Sequence, residues 1–228
     1  MAKFEIKDGI AIIPEGTTEI EGMAFFLCDS LKSIIIPESV TKIGEAAFVG
    51  CSSLECIVVA EGNPVYDSRE GCNAIIETKT NILRYGCKST NIPQSVTKIG
   101  RHAFAGCASL ESVTIPMTVT EIGDFAFCDC RLLESITIPE SVTKIGNSAF
   151  KGCRSLKSIT IPESVTEIDS LAFLGCNSHK SVTFLSRTKL GTEVFSYSSR
   201  ITINVPRDCV DYYKEVLPEE FHDKIVEL

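Results

Sequence analysis

One dipeptide recurs along this chain at a fixed interval. Ile-Pro stands at Ile13-Pro14, Ile36-Pro37, Ile92-Pro93, Ile115-Pro116, Ile138-Pro139 and Ile161-Pro162. The steps are 23, 56, 23, 23 and 23 residues, and six of the nine prolines sit in this column. Other columns keep the same phase. Seven residues after each Ile comes Ile20, Ile43, Ile99, Ile122, Ile145 or Ile168. Twelve after comes Phe25, Phe48, Phe104, Phe127, Phe150 or Phe173, each preceded by Ala. Fifteen after comes Cys28, Cys51, Cys107, Cys130, Cys153 or Cys176. Self-similarity at such a period marks a repeat architecture. One unit cannot bury its apolar face alone, and stacking neighbours buries it.

Within a unit, Leu110-Glu-Ser-Val113-Thr-Ile115 has the L-x-x-L-x-L spacing of a leucine-rich repeat strand. Alternation turns Val113 and Ile115 inward and Thr114 outward. Pro116 lacks an N–H and ends the ladder. A second short strand (Val119 to Gly123) follows, then a tight turn at Ala126-Phe127, helical or 3₁₀, ending near Asp129-Cys130.

The runs Ile92 to Leu110 and Ile138 to Leu156 share the pattern Ile-Pro-x-Ser-Val-Thr-x-Ile-Gly-x-x-Ala-Phe-x-Gly-Cys-x-x-Leu. This pattern resembles the BspA-like leucine-rich repeat family over nearly the whole chain. The resemblance implies a repeat solenoid, mainly β. It would be a right-handed superhelix with a parallel sheet on one face and short turns or 3₁₀ pieces on the other. It says little of ligand, because the family is diverse and includes surface adhesins.

Departures from the period set the boundaries of a single domain, 1–228. The 56-residue step is one repeat plus 33 residues. Two β-rich runs, Ala74-Ile-Ile76 and Ile82 to Cys87, flank the polar Thr78 to Asn81, so residues 60–91 read as a β-hairpin insertion. Repeats occupy 13–59 and 92–183, and 184–206 is a degenerate repeat. Residues 1–12 form an N-terminal hairpin cap around Asp8-Gly9. Residues 207–228 form a C-terminal cap, with Asp208 as N-cap of a helix from Cys209 to Leu217 that Pro218 stops.

The net charge is −8, and 44% hydrophobic against 23% charged residues marks a folded chain. Duplex nucleic acid and anionic membranes attract clustered Lys and Arg, so neither is expected as a partner. No stretch approaches the length of a membrane span. From Arg207 on, seven acids face three bases, which reads as a solvated polar cap. The N-terminus has no apolar segment of secretory length; its first run, Ile10 to Ile13, is four residues and is stopped by Pro14. The expected location is cytoplasmic, with the cell surface or secretion as the alternative if a signal peptide was removed.

Eleven cysteines without C-x₂-C spacing give no zinc site, and no metal or cofactor is expected. The six-Cys column reads as a small apolar core ladder rather than a redox wire. Cys72 and Cys87 stand apart. If the hairpin turns symmetrically about Lys79-Thr80, they face each other across the strands as a possible redox pair. A one-residue register slip would instead send them to opposite faces. His102, His179 and His222 share no short motif with Cys, Ser or Asp. No G-x-S-x-G, phosphate loop or H-E-x-x-H occurs, so no catalytic residues are assigned and an enzyme is not expected.

What remains is the outward face of the strands, in three rows. These are Lys32, Glu55, Glu111, Glu134, Lys157 and Lys180; then Ser33, Cys56, Ser112, Ser135, Ser158 and Ser181; then Ile35, Val58, Thr114, Thr137, Thr160 and Thr183. Such rows suit a protein-binding face, though Ser/Thr ladders also support neighbouring strands by packing alone. The expected function is a monomeric, non-catalytic protein-interaction module. The alternatives are a surface adhesin or, further off, an enzyme with its site at the hairpin or the C-terminal cap.

Overall fold

In the computed structural model, residues 4–176, 178, 181–198 and 201–228 are described. The chain winds as a β-solenoid in which every 23-residue unit makes one coil. The first strand of each coil lies on one face, as in Ser33–Ile36, Cys56–Val59, Ser112–Val113, Ser135–Ile136, Ser158–Ile161, Ser181–Phe184 and Thr202–Val205. After the proline corner a two-residue strand lies on a second face, as in Glu19–Ile20, Lys42–Ile43, Lys98–Ile99, Glu121–Ile122, Lys144–Ile145, Glu167–Ile168 and Lys189–Leu190. Pairing from coil to coil is parallel and in register with the repeat: Ser33 opposite Cys56, Ser158 opposite Ser181, Lys98 opposite Glu121. Identical columns therefore stack on themselves.

The third side of each coil is a run of tight turns, with no 3₁₀ helix there among the described residues. Two residues per turn are left-handed, for example Phe125 (φ 54°) and Asp129 (φ 55°), or Ser148 (φ 53°) and Gly152 (φ 72°). A 3₁₀ helix would spend its amides within the turn. Here alternate amides point along the axis instead, and Phe125, Phe127 and Asp129 donate to the carbonyls of Asn147, Ala149 and Lys151 in the next coil. The Phe column stacks inside this wall. Successive rings from Phe104 through Phe127, Phe150 and Phe173 to Phe195 lie 5.1 to 5.8 Å apart and nearly parallel.

The N-terminal cap is the expected hairpin, Glu5–Lys7 against Ile10–Ile12, turning through Asp8 and Gly9, both left-handed. The insertion has three strands rather than two: Tyr66–Asp67, Ala74–Glu77 and Ile82–Gly86. Its last strand joins the second face by pairing in parallel with Lys98–Ile99. At the C-terminus a 3₁₀ turn, Arg207–Cys209, precedes the helix Val210–Val216. Asp208 makes no cap bond, so its expected N-cap role is corrected: the side chain lies inside the 3₁₀ turn and accepts from the Cys209 thiol. After Pro218 the chain adds a strand the periodicity did not reveal, Ile225–Glu227, which pairs with Thr202–Val205 and extends the first face.

The core is two clusters and not the one continuous core expected of stacked repeats. One gathers the buried residues of 11–59 with Tyr66, Ile75, Tyr85 and Cys87. The other runs from Cys72, Ala74, Ile76 and Leu83 through every later coil to Phe221. The hairpin lies between them and gives one face to each.

Candidate functional site

The strand face carries the sequence-assigned residues outward. Lys32, Glu55, Glu111, Glu134 and Lys157 are exposed, as are Ser112, Ser135, Ser158, Thr114, Thr137 and Thr160, while Ser33 and Cys56 are half-buried. Lys180 and His179 lie outside the described residues. The rows are not continuous. Cys56–Val59 pairs only with Ser33–Ile36, and the next strand of this face, Ser112–Val113, pairs with Ser135–Ile136. The loop after the hairpin intervenes, and Lys88 on it binds Glu55 at 2.6 Å. The face is therefore two stretches of different chemistry. The N-terminal stretch is apolar: Ile35 and Val58 are direct neighbours, 53% and 41% exposed, with Ile10 and Ile12 each 47% exposed on the adjoining strand. The C-terminal stretch is Ser and Thr, and in it Lys157 pairs with Glu134 at 2.7 Å.

The second face is chemically closed. Lys98, Glu121, Lys144, Glu167 and Lys189 stand side by side on successive strands and alternate in sign. Lys98 meets Glu121 at 2.8 Å, and Glu167 meets Lys144 at 3.1 Å and Lys189 at 2.9 Å. Hydrogen bonds to Asp169 and Glu167 hold the Lys144 ammonium above the ordinary lysine range, and Lys189 and Lys144 hold Glu167 below the ordinary carboxylate range. Exposed pairs of this kind stabilise little individually. A ladder of alternating sign does oppose a slip by one coil, because that would bring like charges together. The alternation is readable in the sequence, one residue before the Ile column.

The turn face has a groove of about 480 Å³ lined by Phe26, Leu27, Phe125 and Cys128 among others. Gly50 and Gly106 also line it, so close that a Cβ on Gly106 would sit 2.5 Å from the Gly50 Cα.

A family model for the BspA type leucine rich repeat region matches residues 9–70 and 83–202 in six copies. The chain belongs to the BspA-type leucine-rich repeat family. Among solved structures it is similar to a leucine rich cell surface protein from Faecalibacterium prausnitzii A2-165, at 34% identity and a TM-score of 0.72 over 84% of this chain. It is also similar to a leucine-rich repeat protein from Eubacterium ventriosum, at 28% identity and a TM-score of 0.75 over 85% of this chain. The match spans 52% and 53% of those two proteins. A Treponema pallidum leucine rich repeat protein, 24% identical with a TM-score of 0.53 over 92% of this chain, shares the fold. Among curated proteins none matches.

In this BspA-type solenoid the cysteine column has a polar job that its spacing does not disclose. Cys51, Cys130, Cys153 and Cys176 each donate the thiol to a Phe carbonyl of the preceding coil, at 3.0 to 3.2 Å: Phe25, Phe104, Phe127 and Phe150. In the degenerate repeat Ser198 takes the column and makes the same bond to Phe173 at 3.3 Å. Burial pushes the Cys51, Cys107 and Cys176 thiols up to about 12, and Cys130 and Cys153 well above the ordinary range. These are protonated thiols and poor nucleophiles.

The Cys72–Cys87 pairing is overturned by register. Ala74 faces Gly86 and Ile75 faces Tyr85, but beyond an irregularity at Ile75/Ile76 the partners become Ile76 with Leu83 and Glu77 with Ile82. The extra residue, Arg84, slips the strands by one. Cys72 then falls in the C-terminal core cluster and Cys87 in the N-terminal one, on opposite faces of the hairpin, and both thiols are free. Burial raises both thiol pKa values, that of Cys72 to about 11. His102 stacks on Phe125 at 5.1 Å, and burial and the nearby Arg101 hold its pKa below the ordinary value. His222 lies against the Leu217 carbonyl in the cap. Among the described residues, no group of three or more His, Cys, Asp or Glu is placed to hold a metal ion, and no helix is long and apolar enough to cross a membrane.

Proposed function

We propose that this chain is a non-catalytic protein-interaction module that binds a protein partner through its strand face. The observation that carries the reading is the contrast between faces. The second face pairs its charges within itself. The strand face leaves an in-register apolar pair, Ile35 and Val58, open to solvent beside Ile10 and Ile12. An apolar centre with a polar rim is the usual anatomy of an interface. Beyond the intervening loop, Glu111 and the Ser and Thr rows form the second stretch of this face. Of the two locations, the cell surface has the better support, because a relative at 34% identity is a cell surface protein.

The test is capture of partners from cells of the source organism and its surroundings, with wild type and with two double variants, Ile35→Glu/Val58→Glu and Glu111→Lys/Glu134→Lys. All four positions are exposed, so stability stays within about 1 kcal/mol of wild type. A partner bound at the strand face is lost with at least one double variant. A partner that binds both variants as it binds wild type refutes the site. Protease shaving of intact cells then decides location.

A further inference from the structure

The coils on the two sides of the hairpin are joined differently from all others. Between any other two successive coils, three turn amides donate to the next coil: Met23, Phe25 and Leu27 to one, and His102, Phe104 and Gly106 to another, with the same triplets at 125–129, 148–152 and 171–175. Between the coil of 36–59 and the coil of 92–115 only the third bond survives, Gly50 N–H to the Ala105 carbonyl. Tyr85 and Gly86 fill the place of the other two, and Gly86 N–H takes the Ala103 carbonyl. Both strand ladders also stop there. Lys42–Ile43 pairs only with Glu19–Ile20, and Cys56–Val59 only with Ser33–Ile36.

Tyrosine hydroxyls close the broken edge. Tyr66 Oη accepts Ile43 N–H at 3.2 Å; Tyr85 Oη accepts Ala47 N–H at 3.3 Å and donates to the Gly44 carbonyl at 2.8 Å. The end of the solenoid is closed by the same device, for Tyr213 Oη on the cap helix accepts Thr188 N–H at 3.1 Å and donates to the Ser186 carbonyl at 2.8 Å. Toward the C-terminus, by contrast, the hairpin is bound through backbone: Ile82–Gly86 pairs with Lys98–Ile99, and Gly100 N–H donates to the Leu83 carbonyl.

We propose that residues 60–91 are an internal cap, and that residues 4–59 form a separate cooperative unit that opens from the remaining solenoid at this joint. In a regular solenoid, nearest-neighbour interfaces of equal strength spread cooperativity over the array. An interface that loses its ladders and two of its three turn bonds is where the array divides. The buried core divides into its two clusters at the same place.

Hydrogen–deuterium exchange of the full chain in rising sub-denaturing urea, read by mass spectrometry, tests this. Peptides from 19–59 are expected to share one opening at lower urea than peptides from 119–195. A single isotherm for both sets overturns the proposal. Tyr85→Phe keeps the ring, which packs edge-on at 5.1 Å from Phe48, and removes the hydroxyl. It is expected to speed exchange in 19–59 by roughly five- to a hundredfold, as loss of buried hydrogen bonds would, and to leave 119–195 unchanged. Equal acceleration in both sets, or none in 19–59, overturns it. If the variant does not fold, the wild-type isotherms decide alone.

Discussion

Replacing Cys153 separates two roles that a buried cysteine can play. The side chain is fully buried, and its thiol lies 3.1 Å from the Phe127 carbonyl oxygen. That oxygen already accepts Cys130 N–H at 3.2 Å, so losing the thiol does not leave the carbonyl orphaned. The bond is therefore worth about 1 kcal/mol rather than the larger penalty of an unpaired acceptor. Removing the sulfur costs roughly another 1 kcal/mol in lost burial and incomplete collapse. Cys153→Ala loses both and should be destabilised by about 2 kcal/mol. At about 2–4 °C per kcal/mol for a chain of this size, Tm falls by about 4–8 °C. Cys153→Ser keeps a donor and loses volume, as Ser198 does naturally, and should lose about 1 kcal/mol. Cys153→Val keeps volume and loses the donor, and should lose about as much as Ser. The assay is urea unfolding followed by far-UV circular dichroism in reducing buffer, with the three midpoints compared at a common slope. If Val matches wild type and Ser is as poor as Ala, the thiol is only an apolar filler and the hydrogen-bond ladder contributes nothing.

The buried thiols also make stability fall at high pH. Cys51, Cys107 and Cys176 stay neutral in the fold up to about 12, while in the unfolded chain they ionise from their ordinary value near 9. Below that value both states are neutral and nothing changes. Between about 9 and 12, each thiol removes roughly 1.4 kcal/mol per pH unit. Urea midpoints should decline steeply across that window, and Cys51→Ser should flatten the decline; a level profile contradicts the thiol burial. A further pair of variants concerns the turns. Gly106→Ala puts a methyl 2.5 Å from Gly50 Cα and should lower stability by about 2–4 kcal/mol, with thermal unfolding as the measure. Gly175→Ala, at φ +69° with nothing within 4 Å, should lose only the left-handed strain of about 1 kcal/mol. Equal losses would mean that the close approach of Gly50 and Gly106 does not constrain the chain.

The sequence by itself determined the coil. A period of 23 with Ile, Phe and Cys in constant phase leaves one way to bury those columns, which is to stack them, and parallel in-register pairing follows because each column then meets itself. It also placed the hairpin, the N-terminal turn and the outward rows, since two-residue alternation and Asp-Gly chemistry are local. Three things were decided only by tertiary structure. The cysteine ladder looks apolar in sequence because a thiol's hydrogen-bond partner lies in the preceding coil, at a carbonyl that periodicity does not show. The Cys72–Cys87 pairing failed because one extra residue at Arg84 reverses which face a side chain takes, and no composition rule announces a bulge. The division of the core at Tyr66 and Tyr85 was hidden for the same reason. Where an insertion enters a stack, whether it continues the ladders or closes them depends on which backbone amides it leaves unpaired, and that is settled only when the coils on either side are packed against it.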